Sequence, residues 1–345
     1  MMDSSADIGR GGRRAGLAGL LCLLLALWAV AAPVHASIYK CVDRDGRVSF
    51  QGTTCDGMAP GGESVARLDN AWPAAGKHIF WEAKAAAGGK IYLLGSLHFG
   101  APWIYPLPAV IGDALAAADA LAVEVNVLET PPEALAARMQ RAGVYGEGPG
   151  LKGALAPTEW EALANVSRTF GLPTALVERQ RPWLASLTLT AAVLQQLGYS
   201  PAHGIDLHIM REAGRRIPIV ELESADYQFE LLSTMEPKDE VAMLMQTLHE
   251  INDAGRHFGD LLDAWLNGNA EKLDRVLFEG FDRMLRGEQL YQRLILDRNV
   301  QMTDAIVKLS RRHDVVFVVV GAGHLVGANG IVERLKAAGF FVEQL

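Results

Sequence analysis

The stretch that decides the fold is Lys90–Gly100, KIYLLGSLHFG. Ile91 to Leu94 is a short apolar run holding a β-branched and an aromatic residue, and Gly95 closes it. Such a run reads as a buried strand. A Gly-x-x-His turn follows and sets His98 just past the strand end, where α/β folds place their chemistry. The pattern returns near the C-terminus in Val315–Gly327, VVFVVVGAGHLVG, where Gly321 precedes His324 by three residues. Two strand–Gly-x-x-His units so far apart bring two imidazoles together if their strands are neighbours in one sheet. Glycine ahead of each histidine permits a tight turn and close backbone approach.

Working outward, Ala120–Asn126, ALAVEVN, reads as a further buried strand carrying one carboxylate, Glu124. A carboxylate there is costly unless it is paired, metal-bound or at the strand end. Glu124 therefore reads either as a ligand or general base at the sheet edge, or as a carboxylate facing water or held by an arginine. Ile217–Glu223, IPIVELE, is a third strand candidate whose alternation puts Glu221 and Glu223 on one face. Glu223 or Ser224 equally suits the cap of the following helix. Leu128 to Pro201 and Lys238 to Leu309 carry helical apolar spacing, as at Trp183, Leu187, Ala191 and Leu194. Thr158-x-x-Glu161 reads as a capping box. The run His203 to His208 looks metal-like, but its spacing is not the helical pair of zinc enzymes, and Asp206 suits a cap for a helix Leu207–Ala213. Arg298 has the chemistry to neutralise Glu124 or Glu223, or to hold a substrate carboxylate. The strands gather at the two ends of this region with helices between. The expected fold is α/β, α+β-like in layout: a central mixed sheet with a large helical insertion.

At 345 residues, half of them hydrophobic, the chain can bury a large core. Its net charge is −8, with no basic run, which argues against a nucleic-acid partner. Residues 1–36 read as a signal peptide: Arg10, Arg13 and Arg14, an apolar stretch Leu17 to Ala32, then Val34-His35-Ala36 before the cleavage point. The leader holds three arginines and two aspartates, so the chain after it stands at −9. The expected location is exported, periplasmic or secreted, with no transmembrane helix after the leader. Asp45-Gly46 between two β-prone runs marks a hairpin in residues 37–57. Cys41 and Cys55 there suit a disulfide worth about 3 kcal/mol by the chain-entropy model, with two free thiols or a partial metal site as alternatives. Residues 58–77, rich in Gly, Ala and Pro, read as a linker, and 78–345 as the main domain.

Several of these residues also carry a resemblance. YLLGSLHFG with Glu124, GIDLHIMREAGRRIPIVELES with Gln228, Arg298-Asn299 and VVVGAGHLVG together resemble the TraB/GumN family, which is related to the TIKI metalloproteases and more distantly to erythromycin-esterase-like and ChaN-like folds. The likeness runs from about His78 to Leu345. The family favours Gly-Thr-x-His at the first turn, and Ser96 here keeps the hydroxyl. YKCVDRDGRVSFQGTTC resembles a small module of bacterial envelope proteins with no established activity. The resemblance implies a metal-dependent hydrolase, of the peptidase kind, with its histidines on His98 and His324, its acids on Glu124 and Glu223, and its Arg-Asn pair on Arg298 and Asn299.

The residue chemistry agrees with that implication. Two neutral imidazoles and one or two carboxylates suit a divalent ion such as Mn²⁺, Co²⁺ or Zn²⁺, which would activate water. The expectation is that His98, Glu124 and His324 lie closest to the metal, Glu223 is a further ligand or base, and Arg298 orients a carboxylate or an anionic intermediate. A metal-free version uses one histidine as general base, oriented by Glu124. No Gly-x-Ser-x-Gly elbow is present. The second class is a non-catalytic exported protein that uses the same pocket for a peptide, a signal or haem. Within the hydrolase reading the substrate, peptide or small molecule, is left open.

Overall fold

The structure is a computed structural model. It describes residues 76–345 other than 87, 252 and 285, residue 72, and the backbone of three short strands nearer the N-terminus. Those three, β1 (Tyr39–Val42), β2 (Val48–Gln51) and β3 (Ser64–Val65), form a small sheet in the order β2-β1-β3. The β1–β2 hairpin follows the Asp-Gly signal, and β3 comes from the segment expected to be linker. The expected leader, and Cys55 with the expected Cys41–Cys55 disulfide, lie outside the described residues.

The main domain is built on six further strands: β4 (Phe80–Lys84), β5 (Lys90–Ser96), β6 (Ala120–Val123), β7 (Ile219–Glu221), β8 (Val315–Gly321) and β9 (Phe341–Gln344). Their order in the sheet is β7-β6-β8-β5-β4-β9. The four strands β7, β6, β8 and β5 run parallel, and β4 and β9 close one side antiparallel. The sheet is mixed, as expected. Two interior strands explain their own sequences. β8 is buried from Val316 to Gly321 and β6 along its length, because parallel strands covered on both faces need continuous apolar runs. Each fully buried Val or Leu of this kind contributes about 1.5–3 kcal/mol. The domain ends are tied together: the His78 N–H donates to the Leu345 carbonyl at 2.6 Å and the Leu345 N–H to Phe80 at 2.9 Å.

Between β6 and β8 the chain is helical apart from the brief return of β7. This block covers the parallel strands and has a second core of its own, where Leu163, Leu189, Leu244 and Leu248 meet. Helix Ala254–Leu266 reaches back to the sheet: the Trp265 indole N–H donates to the Gly95 carbonyl at 2.7 Å, satisfying the backbone where β5 ends. Three local expectations change. The helix expected from Thr158 starts at Pro157, with Glu159 rather than Glu161 reaching back, to the Ala156 N–H at 2.8 Å. Asp206 does not cap its helix, Ile205–Ala213. Glu221 and Glu223 part company, for β7 stops at Glu221 and Glu221 takes the Asn126 N–H at 2.7 Å.

Candidate active site

β5 and β8 are parallel neighbours in register, with Ser96 opposite Gly321, so the two Gly-x-x-His turns leave the sheet side by side. Close approach, rather than an unusual backbone angle, is what demands the glycines. Gly321 has an ordinary φ of −50°. A Cβ there would lie 3.2 Å from Glu124 Oε1, 3.7 Å from His324 Cδ2 and 4.0 Å from His98 Nε2. These three side chains, singled out from far-apart stretches, thus surround one point at the strand mouth. A Cβ on Gly95 would meet Ile79 Cγ2 at 2.4 Å and Ala322 Cα at 3.1 Å.

Glu124 sits just past the end of β6, 7% exposed, and both its oxygens are occupied. Oε1 accepts the Gly321 N–H at 2.6 Å; Oε2 accepts Arg298 Nη2 at 2.6 Å and Gln228 Nε2 at 3.2 Å. Arg298 also binds Glu223, through Nε at 2.9 Å and Nη2 at 2.7 Å, and its Nη1 donates to the Leu294 carbonyl at 3.3 Å. Gln228 Nε2 completes the cluster at 3.0 Å from Glu223. Local structure explains the placement. Ser224, not Glu223, caps the helix Ala225–Ser233 through the Tyr227 N–H, which leaves Glu223 free for Arg298 and carries Gln228 inward one turn later. Arg298 opens the helix Asp297–Leu309 directly after a π-helical turn, Gln292–Leu296. Burial opposes ionisation of Glu124, but Arg298, then the two imidazoles and the Gly321 N–H, bring its pKa down to about 2. Burial likewise opposes the guanidinium charge, and the two glutamates overcome it and hold the Arg298 pKa above its usual value. The arginine neutralises both expected carboxylates, with Nε and Nη2 given to the two glutamates and Nη1 giving one hydrogen bond to the Leu294 carbonyl.

The two histidines sit in opposite environments. His98 Nδ1 lies 3.1 Å from Asp206 Oδ2. Asp206 arrives because the loop after β5 is clasped to the segment before its helix: Gly100 and Ser200 exchange backbone hydrogen bonds at 3.1 and 2.8 Å, and the Ile205 N–H donates to the Leu97 carbonyl at 3.0 Å. Gly204 makes this possible, since a Cβ on it would stand 2.6 Å from the His98 carbonyl oxygen. Burial disfavours a charged His98, but the Asp206 carboxylate overcomes it and, helped by Glu124, raises the pKa to about 9. His324 is fully buried. Asn299 gives its amide to the Asn329 carbonyl at 3.0 Å, so its Oδ1 accepts from His324 Nδ1 at 2.7 Å. That leaves Nε2 as a bare lone pair with no partner among the described residues. Burial, then the Arg298 cation and His98, push the His324 pKa down to about 3, so this imidazole is neutral.

A cavity of about 50 Å³ opens here, with Ser96, His98, Glu124, Asp206, Gln228 and Arg298 as its main polar lining. It has room for water. His324 is fully buried and is not among the residues that line it. The expected metal set of His98, Glu124 and His324 contains suitable donor types, and the bare Nε2 of His324 is one such donor. As arranged, Glu124 offers both oxygens to N–H donors with a guanidinium against one of them, so a metal here would have to replace those hydrogen bonds. Sequence reasoning placed Asp206 only as a helix cap or a weak metal candidate. Its pairing with His98 rests on the clasp at Gly204, which spacing alone does not reveal.

A mixed α/β domain with two Gly-x-x-His turns around a glutamate–arginine–glutamate cluster defines a recognisable class. The sequence profile of the TraB/PrgY/gumN family matches residues 79–344, and the chain belongs to that family. A domain of unknown function, DUF4124, matches residues 20–75, which include the small β module. The chain is 28% identical over 277 residues to the uncharacterized protein YbaP of Escherichia coli (strain K12), covering 78% of this chain and 98% of the relative. The Shigella flexneri YbaP shows the same identity and coverage. An uncharacterized protein of Treponema pallidum (strain Nichols) is 22% identical over 272 residues, covering 75% of this chain and 80% of the relative. No solved structure matches the chain.

Proposed function

We propose that the chain is an exported hydrolase that activates water at the mouth of β5 and β8 and cleaves an amide or ester bond in a peptide or small molecule. The observation that carries this reading is the Asp206–His98 pair beside a water-sized cavity, with Glu124 near the imidazole's other nitrogen. In its neutral form His98 takes a proton from water at Nε2 while the hydroxide attacks the carbonyl carbon. The imidazolium so formed is held between Asp206 and Glu124, and it returns the proton to the leaving group. Arg298 and Gln228 keep Glu124 ionised and fixed. The orienting carboxylate is Asp206, where the sequence suggested Glu124. The expected leader supports a periplasmic or secreted location, and cell fractionation tests it.

The bare, buried Nε2 of His324 favours a second, metal-dependent version. There His98, Glu124 and His324 would hold Mn²⁺, Co²⁺ or Zn²⁺, which when bound would polarise the carbonyl and acidify water. It requires the Glu124 hydrogen bonds to rearrange. Turnover of a library of peptides, amino-acid amides and esters, with chelator or with each ion added, tests both versions. The hydrolase reading expects turnover that His98→Ala abolishes. It fails if no substrate is cleaved or if His98→Ala cleaves as well as the wild type. Metal retained by the purified wild type and lost in His324→Ala selects the metal-dependent version.

A further inference from the structure

We infer that Ser96 is the side chain that hydrogen-bonds the reacting carbonyl oxygen, a catalytic role that rests on the hydrolase reading above. An attacked carbonyl needs a donor for the negative charge that develops on its oxygen, and such donors are among the largest contributions to rate. The polar groups lining the cavity are few, and most of their donors are already engaged. Gln228 Nε2 gives its hydrogens to Glu124 and Glu223. Arg298 gives Nε and both Nη2 hydrogens to the same two glutamates and one Nη1 hydrogen to Leu294. The Gly321 N–H is held by Glu124 Oε1. His98 Nδ1 is held by Asp206, and its Nε2 is the atom that exchanges the proton. Thr130 also lines the cavity and is half-buried.

Ser96 differs from all of these. It is 2% exposed, it lines the cavity, and its buried Oγ has no hydrogen-bond partner among the described residues. It stands at the last position of β5, opposite Gly321 on β8, and lines the same cavity as His98 and Glu124. An unsatisfied buried hydroxyl costs about 1–3 kcal/mol, a cost that alanine at the same position would avoid. A carbonyl oxygen entering the cavity supplies the missing acceptor. The hydroxyl is neutral, so it offers a hydrogen bond without adding a second cation beside Arg298. Proton flow is undisturbed: Ser96 donates a hydrogen bond to the oxyanion and keeps its proton, while the proton from water travels through His98.

The test uses full-length mature protein and a substrate whose turnover is lost in His98→Ala. kcat and KM are measured for wild type, Ser96→Ala and Ser96→Thr, with thermal stability of each. The expected result is a kcat about 10²-fold lower for Ser96→Ala with a KM little changed, as for loss of an oxyanion donor. Ser96→Thr, which keeps the hydroxyl, is expected to recover most of the rate, and Ser96→Ala to melt no lower than wild type. Four results overturn the assignment while leaving the hydrolase reading in place: Ser96→Ala at wild-type kcat, a loss confined to KM, Ser96→Thr as slow as Ser96→Ala, or an acyl group trapped covalently on Ser96. If no substrate shows His98-dependent turnover, the hydrolase reading itself fails and this role fails with it.

Discussion

Asp206 Oδ2 lies 3.1 Å from His98 Nδ1, although the two residues are 108 apart in the chain. The pair is 15% and 17% exposed at its side chains, screened enough from water for the carboxylate to control the imidazole. Folding raises the His98 pKa from 6.5 to about 9. The sign of the linkage follows: the pair's stabilisation is fully present below the unfolded value and is lost as pH rises through about 9. Asp206→Asn removes the raising charge, so stability between pH 6.5 and 9.5 should become flatter than in the wild type. Under the proposed mechanism the alkaline-rising limb of kcat/KM, centred near 9 in the wild type, should move down in the variant. A limb that stays in place would show that Asp206 does not set the His98 pKa.

The Arg298 cluster makes a separate prediction. Arg298→Met leaves Glu124 and Glu223 buried without their cation, and breaking one partner out of such a cluster costs about 3–5 kcal/mol. Urea unfolding should show a loss of that size. Arg298→Lys should recover little of it, because a point charge cannot satisfy two carboxylates through a fork. A loss under about 1 kcal/mol, the size of an exposed pair, would mean the cluster is solvated.

His324 supplies the acid-side prediction. Its folded pKa of about 3 lies below the unfolded 6.5, so the unfolded chain binds the extra proton first and stability falls as pH drops from 6.5 towards 3. Glu124, at about 2 against 4.5, adds to the decline only below about pH 4.5. His324→Gln should shrink the decline between pH 6.5 and 4.5, read as the change in urea midpoint. An unchanged slope would mean that His324 is protonated in the folded protein.

Glycine substitutions separate packing from chemistry. Gly95→Ala drives a methyl into Ile79 and the backbone of Ala322, and overpacking of this kind costs about 1–3 kcal/mol. Gly321→Ala places its methyl 3.2 Å from Glu124 Oε1, tight but not impossible, within the ring of site residues. The expected contrast is a lower melting temperature for Gly95→Ala, and for Gly321→Ala a near-normal melting temperature with turnover largely lost.

Local pattern determined much of this protein. The apolar runs before Gly95 and Gly321 announced β5 and β8 because strands buried on both faces need unbroken apolar residues, and a glycine then marks where the pattern ends. The same logic exposed Glu124, an acid in an apolar run, and the helical spacing of the insertion. Helix and strand ends were less legible, as at Glu159 and Glu221, since a cap or a ladder end is settled by whichever partner lies nearest in space. Only the tertiary structure decided who meets whom. It set Ser96 opposite Gly321, gave Arg298 to both glutamates, and chose Asp206 over Glu124 as the partner of His98 Nδ1. It also drove two similar histidines apart, one charged and one neutral. Sequence spacing carries the periodicity of single elements, whereas burial and neighbouring charge come from elements that pack together from distant parts of the chain.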